Sequence, residues 1–308
     1  MKVKFINIKN NIYIYIFNIL VLTITAKKIY HCTQNNTIAL TFDDGPFEYT
    51  MDLLDQLQAA KIKATFFING YNYWSDFETD EEKHAILKRA HADGHQIASH
   101  TWEHLIPEKK EDIKPMMSKL DDLIEKNTGY RPKYFRAPQG DCKEDCIFYF
   151  EELGYHVIQW DTDTHDWDYK KIGADNRVEH VKKFLTEEWA KQNDNYLILM
   201  HDVHNSTVHG IIPWLIKNAP FDKYKFVTVA ECLGDTKETH FDAKGNPLPE
   251  TNSDAEKNNI IIAKDKEANT TVDNSQFELQ KSSSTSKFIF DSVLSVSFVS
   301  YLLYILAF

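Results

Sequence analysis

The 308-residue chain has no concentration of basic residues. Its 35 Lys and Arg are outnumbered by 46 Asp and Glu, for a formal net charge of −11. Nucleic acids and anionic membrane surfaces are bound through basic patches, so the sequence excludes both as partners, while a neutral or cationic glycan stays compatible. Zinc binding by cysteine is also disfavoured: the spacing of Cys142 and Cys146 is not a zinc spacing, and no second pair follows it. No internal repeat is visible. What remains is a chain 43% hydrophobic and 13% aromatic, ample for one real core.

The two ends narrow the choice further. Residues 1–26 carry lysines at 2, 4 and 9, an apolar stretch from about Ile12 to Thr25, and Ala26 as a cleavage position. The stretch is shorter than a full span, so a secretion signal is expected, with an uncleaved signal anchor as the alternative. Residues 282–308 place Ser282 to Ser284 before a short spacer and an apolar tail that runs to Phe308. That is the order of a glycolipid (GPI) anchor signal; no basic cluster follows it, as one would a retained transmembrane helix, which is the alternative. Either reading predicts a secreted protein at the cell surface or wall, attached to the plasma membrane through its C-terminal anchor.

Four cysteines suit that compartment, since an even count in a secreted chain favours disulfides. Cys142 and Cys146 could staple a local loop, and Cys32 with Cys232 would then clasp the two ends of the intervening segment. Asn35, Asn205 and Asn269 each begin an N-x-T glycosylation sequon.

Between the ends, seven apolar runs alternate with helix-like stretches. The runs are "TIALTF", "KATFFI", "HQIAS", "KYFRA", "YHVIQW", "YLILM" and "YKFVTV"; Gly94, Gly129 and Gly154 stand where helices should stop. This alternation predicts a parallel α/β sheet, closed or nearly closed as a barrel, in one catalytic-sized domain over residues 30–234. Residues 235–281 turn polar and read as a linker or stalk.

The chemically capable side chains follow the strands. Asp43 and Asp44 come after the first run, His100 and His104 after the third, and Arg136 after the "KYF" of the fourth. Asp161, Asp163 and Asp166 follow the fifth, and His201 and Asp202 the sixth. In a parallel barrel these strand ends open onto one face, where sites are built. His100 and His104, at i and i+4 on a helix or tight turn, put both imidazoles on one side. With 13 histidines in the chain that spacing alone is weak, and His91 with His95 repeats it at a helix end. Two imidazoles plus one carboxylate, Asp44 or Asp43, make a three-ligand set with open positions, suited to a zinc that activates water or to iron. The other aspartate is then free to act as a base. His201 is a candidate general acid, and one aspartate of "WDTDTHDWD" could orient it, the rest serving turns and caps.

"TFDDGP", "SHTWEH", "RAPQG", "DTHDW" and "LILMH", in that order, resemble the five motifs of the polysaccharide deacetylases, the NodB-homology carbohydrate esterases of family four. The likeness covers about residues 35–234 and is nearest to secreted fungal-type chitin deacetylases. It implies a distorted (β/α) barrel, and disulfides joining Cys32 to Cys232 and Cys142 to Cys146. By the family pattern Asp43 is the general base, positioned by Arg136, while Asp44, His100 and His104 hold Zn2+ or another divalent ion such as Co2+. The backbone N–H of Gln139 joins in stabilising the oxyanion, Asp166 orients His201 as general acid, and Trp167 and Leu199 line the pocket for the acetyl methyl.

The implied activity is hydrolysis of N-acetyl groups from chitin or a related N-acetylglucosamine polymer by a monomeric enzyme. One departure stands out: Gln139 occupies a position that is usually Tyr in the family, which bears on substrate fit more than on a backbone contact. The alternatives are a wall-attached chitin-binding protein with impaired turnover, or a deacetylase of peptidoglycan or acetylxylan.

Overall fold

The computed structural model describes residues 27–73, 77–173 and 176–235. The expected signal segment, stalk and anchor tail lie outside these residues. Eight strands run β1 (Thr37–Asp43), β2 (Thr65–Ile68), β3 (Gln96–Ser99), β4 (Tyr134–Phe135), β5 (His156–Val157), β6 (Thr162–Asp163), β7 (Asn195–His201) and β8 (Lys225–Phe226). They pair in the order β5-β4-β3-β2-β1-β7-β6, with β8 added at the start of β1. Every pairing is parallel. The sheet curls into the expected barrel form, and Ile29 bridges to Ile158 beside β5.

The helices that pack on the sheet are α1 (Thr50–Ala60), α2 (Glu81–Ala92), α3 (Lys110–Thr128), α4 (Glu144–Glu152), α5 (Arg177–Ala190), α6 (Ile212–Asn218) and α7 (Val229–Cys232), with further short helical turns at Pro138–Gly140, Tyr169–Ile172 and Ser206–Ile211. Gly94, Gly129 and Gly154 end α2, α3 and α4 at positive φ, where a side chain would be strained.

All seven residues of β1 are buried, because a parallel sheet is covered on both faces. Alternate residues therefore enter different cores. Ile38, Leu40 and Phe42 face outward with Phe66, Ile97 and Ile198, under the apolar sides of the helices. Ala39, Phe67, Ala98, Tyr134 and Leu197 face inward.

The inner layer is closed at the strands' N-terminal end by α7. There the Val229 N–H donates to Thr65 Oγ1 at 2.9 Å, and the Ala230 N–H to Gln96 Oε1 at 3.0 Å. A capping box of Thr228 and Glu231 starts α7, and the Cys32–Cys232 disulfide ties it to the N-terminal segment. The second expected bond, Cys142–Cys146, is also present. With one end plugged, the opposite, C-terminal end of the strands is left for a cleft.

The sequence predicts seven strands, and the described residues form eight. The additional one, β6, lies inside "WDTDTHDWD", where polar residues suggest turns. Its register against β7, Thr162 to Ile198 and Asp163 to Leu199, supplies the order that its composition does not advertise. Among the described residues no helix is long and apolar enough to cross a membrane.

Candidate active site

Two aspartates can share one site only if the strand pleat ends between them. β1 stops at Asp43, and Asp44 takes a left-handed φ of 77°, followed by a cis Gly45–Pro46 peptide. The left-handed residue brings Asp44 back beside Asp43 instead of leaving it on the opposite face. Gly45 makes the turn possible by contact: a Cβ there would collide with the Asp202 carboxylate. Asp202 is fully buried, accepts a hydrogen bond from the Thr50 hydroxyl at 2.5 Å, and has its pKa pushed by burial up to about 7.

The sequence expects a helix or tight turn under His100 and His104. The structure has the tight turn: Thr101 and His104 both adopt positive φ, 74° and 53°, in a loop braced by Asn69 Nδ2 donating to the carbonyls of residues 100 and 101. Backbone strain of this kind collects at functional sites. His100 Nδ1 lies 2.8 Å from the Arg136 carbonyl, which can only accept, so the proton is on Nδ1 and Nε2 keeps a free lone pair. Burial pulls the His100 pKa down and keeps the ring neutral, as a metal ligand must be.

Asp44 Oδ1 lies 3.6 Å from His100 Nε2 and 3.2 Å from His104 Nε2. It is buried and has no hydrogen-bond partner among the described residues. An orphaned carboxylate oxygen facing two imidazoles is the donor set of a divalent cation, and one ligand atom from each residue lies within 4.8 Å of the others.

Asp43 is held differently. Arg136, fully buried, donates from Nη1 to Asp43 Oδ1 and to Thr41 Oγ1, each at 2.7 Å, and from Nη2 to the Gln159 carbonyl at 2.9 Å. Its guanidinium also lies 4.1 Å from the Phe67 ring centre. The buried carboxylate thus has a buried partner, and its second oxygen is left toward the donor set, 3.7 Å from His100 Nε2.

The neighbouring strand, β7, sets His201 in register with Asp43. Asp166, fully buried, grips His201 twice: Oδ1 meets Nδ1 and Oδ2 accepts the backbone N–H, both at 2.8 Å. Burial opposes the charged imidazole, but the Asp166 carboxylate outweighs it and holds the His201 pKa up to about 10. Asp161 braces β6 to β7 by accepting from the Leu197 N–H. Asp163 accepts from Trp167 Nε1 at 3.4 Å, and Asp168 caps the following helical turn. Four neighbouring aspartates therefore have four separate tasks.

Asp43, Asp44, His100, His104, Asp163 and His201 line one cleft of about 380 Å³, with Arg136 and Asp166 buried behind it. Gln139, in left-handed conformation at φ 56°, and the half-exposed Trp167 stand at its edge, and Leu199 is buried in its wall. The structure adds residues that the sequence does not single out. Tyr73, Trp160 and His204 line the cleft, and the buried Thr207 hydroxyl donates to Asp166 Oδ2 at 2.7 Å. His204 stands three residues after His201, a spacing that could have drawn notice; Thr207 gives no such signal.

Comparison with known proteins agrees with this architecture. The family model described as polysaccharide deacetylase matches residues 30–158. A chitin deacetylase of Colletotrichum lindemuthianum is 38% identical over 218 residues, covering 70% of this chain and 86% of the relative. The solved structure of the chitin deacetylase from that fungus superposes with a TM-score of 0.64 at 35% identity, over 72% of this chain and 97% of the other. A peptidoglycan-N-acetylglucosamine deacetylase of Listeria monocytogenes is 34% identical over 204 residues, covering 65% of this chain and 40% of the relative. With these likenesses spread over the barrel and its cleft, the chain belongs to the polysaccharide deacetylase family.

Proposed function

We propose that the protein hydrolyses the N-acetyl groups of N-acetylglucosamine units in chitin, releasing acetate and free glucosamine units. One observation carries the reading: Asp43 and His201 stand side by side, in register at the ends of the neighbouring strands β1 and β7, and line the same cleft as the three-donor set Asp44, His100 and His104. Amide hydrolysis needs a proton taken from water and another given to the leaving nitrogen. Arg136 fixes and aims the Asp43 carboxylate, so Asp43 is assigned as the proton acceptor. Asp166 keeps His201 protonated with Nδ1 engaged, so Nε2 delivers the second proton to the amine.

The donor set suits zinc, and the chemistry supplied by such a cation is Lewis acidity toward the acetyl carbonyl and the attacking water. The backbone N–H of Gln139 is assigned to the developing oxyanion, and Leu199 with Trp167 to the acetyl methyl. Water around the methyl is excluded by these apolar walls. Replacement of the family's Tyr by Gln139 leaves a backbone donor in place.

Attachment at a cell surface fits the same reading. The described chain leaves the barrel at Asp235, just after α7, on the end opposite the cleft.

The test is acetate release from N-acetylated chitin oligomers by purified protein, before chelation, after it, and after return of Zn2+ or Co2+. Loss on chelation with recovery on return is expected, and Asp43→Asn should lower kcat by about 10²- to 10⁴-fold. Release that survives chelation would overturn the mechanism. Parallel assays on peptidoglycan, the substrate in the name of the Listeria relative, separate chitin from the nearest alternative.

A further inference from the structure

The turn Pro138–Gly140 carries two successive left-handed residues, Gln139 at φ 56° and Gly140 at φ 69°. Gln139 is strained there, because its side chain crowds the backbone in that conformation. Within itself the turn is closed by two bonds: the Gly140 N–H donates to the Ala137 carbonyl at 2.9 Å, and the Asp141 N–H to the Pro138 carbonyl at 3.1 Å. From outside, two side chains converge on one atom. Lys28 Nζ and Gln159 Nε2 each donate to the Gly140 carbonyl at 2.9 Å.

Both donors stand on a fixed main chain. The Gln159 N–H donates to the Ile29 carbonyl at 2.7 Å and the Ile29 N–H to the Val157 carbonyl at 2.8 Å, so the segment carrying Lys28 is fastened along β5. Gln159 is buried, and its own carbonyl takes a bond from Arg136, so the turn and the aim of Asp43 share a support. Lys28 is partly buried, and its ammonium pairs with no carboxylate among the described residues. A charged donor is the stronger of the two holds.

We infer that Lys28 is a positioning residue for the hydrolysis: its grip on the Gly140 carbonyl fixes the turn that presents the Gln139 N–H to the developing oxyanion. The inference rests on the role proposed above for that N–H. Lys28 lies outside all five motifs and 112 residues before the carbonyl it holds, so only the fold brings the two together. An oxyanion donor acts as charge develops. A turn left to relax should therefore cost turnover and spare substrate affinity.

The experiment compares the full-length protein with its Lys28→Met and Lys28→Arg variants on N-acetylated chitotetraose. Lys28→Met keeps the length but loses the donor, and should lower kcat about five- to twentyfold with KM nearly unchanged, part of the roughly 10²- to 10³-fold that removal of an oxyanion donor costs. Lys28→Arg keeps charge and donors and should recover most of that loss. Amide hydrogen exchange at Gly140 and Asp141 should quicken in the Met variant alone, with the rest of the barrel unaltered, which a folding defect would not give.

Unchanged kcat in Lys28→Met, a raised KM at unchanged kcat, or a loss that Lys28→Arg does not recover would overturn the assignment. If the parent protein releases no acetate, the proposed activity fails. Faster exchange confined to the turn in Lys28→Met would then still establish the hold of Lys28 on it, and unaltered exchange would remove that as well.

Discussion

Asp166 binds one histidine through both of its oxygens, and the free energy of that grip is visible as a proton affinity. The folded His201 pKa, about 10, lies above the ordinary histidine value of 6.5, so the ring stays charged throughout the neutral range. Activity that depends on charged His201 should fall only as pH rises through that value, somewhat lowered by a cation in the neighbouring donor set. Asp166→Asn removes the carboxylate charge. Its alkaline limb should move down toward 6.5, with kcat reduced at least tenfold at pH 8. A kcat against pH profile for both proteins checks this; a limb that does not move would remove Asp166 from its role. The sequence could name "DTHDW" as the source of the orienting acid, but not which acid, because only the two-residue β6 and the turn after it decide which carboxylate reaches β7.

At the level of elements, the barrel was legible because β1, β3 and β7 are apolar runs with charged ends, and alternation between helices and strands leaves few topologies. Shorter elements were not. β4, β5, β6 and β8 contain two residues each, too few to show a period, and they are specified by their neighbours' edges. The histidine pair was legible as a pair but not in its conformation, since positive φ at Thr101 and His104 has no signature in non-glycine residues.

The turn after β1 is the element on which the donor set depends. Gly45→Ala would drive a methyl group into Asp202, which is held by Thr50 and cannot swing into solvent. The expected result is a loss of about 1–3 kcal/mol of stability, as for other overpacked sites, together with weaker divalent metal retention through displaced Asp44. Thermal melting and metal content of the purified variant test both effects. Unchanged values in both would show that the turn has room to spare.

Over the whole molecule, a buried acid and a covalent clasp set stability away from the cleft. Asp121 on α3 is nearly fully buried, accepts from the Tyr155 hydroxyl, and has its pKa pushed by burial up to about 7. Because that folded value exceeds the unfolded 3.8, its contribution is complete below about pH 4 and is lost as pH rises through 7. Asp121→Asn should therefore flatten the fall in melting temperature between pH 5 and 8, and an unchanged slope would contradict the burial argument.

The clasp restrains far more of the chain. Cys32 and Cys232 are separated by 200 residues, whereas Cys142 and Cys146 are separated by 4. In the chain-entropy account the first restrains the unfolded chain by about 5 kcal/mol and the second by about 2 kcal/mol. The first also fastens α7, the plug of the inner core, to the segment before β1. Paired serine replacement at 32 and 232 should then cost more in guanidinium unfolding than replacement at 142 and 146. It should also loosen the closed end of the barrel, while the second pair affects only the loop after Gln139. The reverse order of losses would mean that the clasp closes an end already held by the Thr65 and Gln96 bonds to α7.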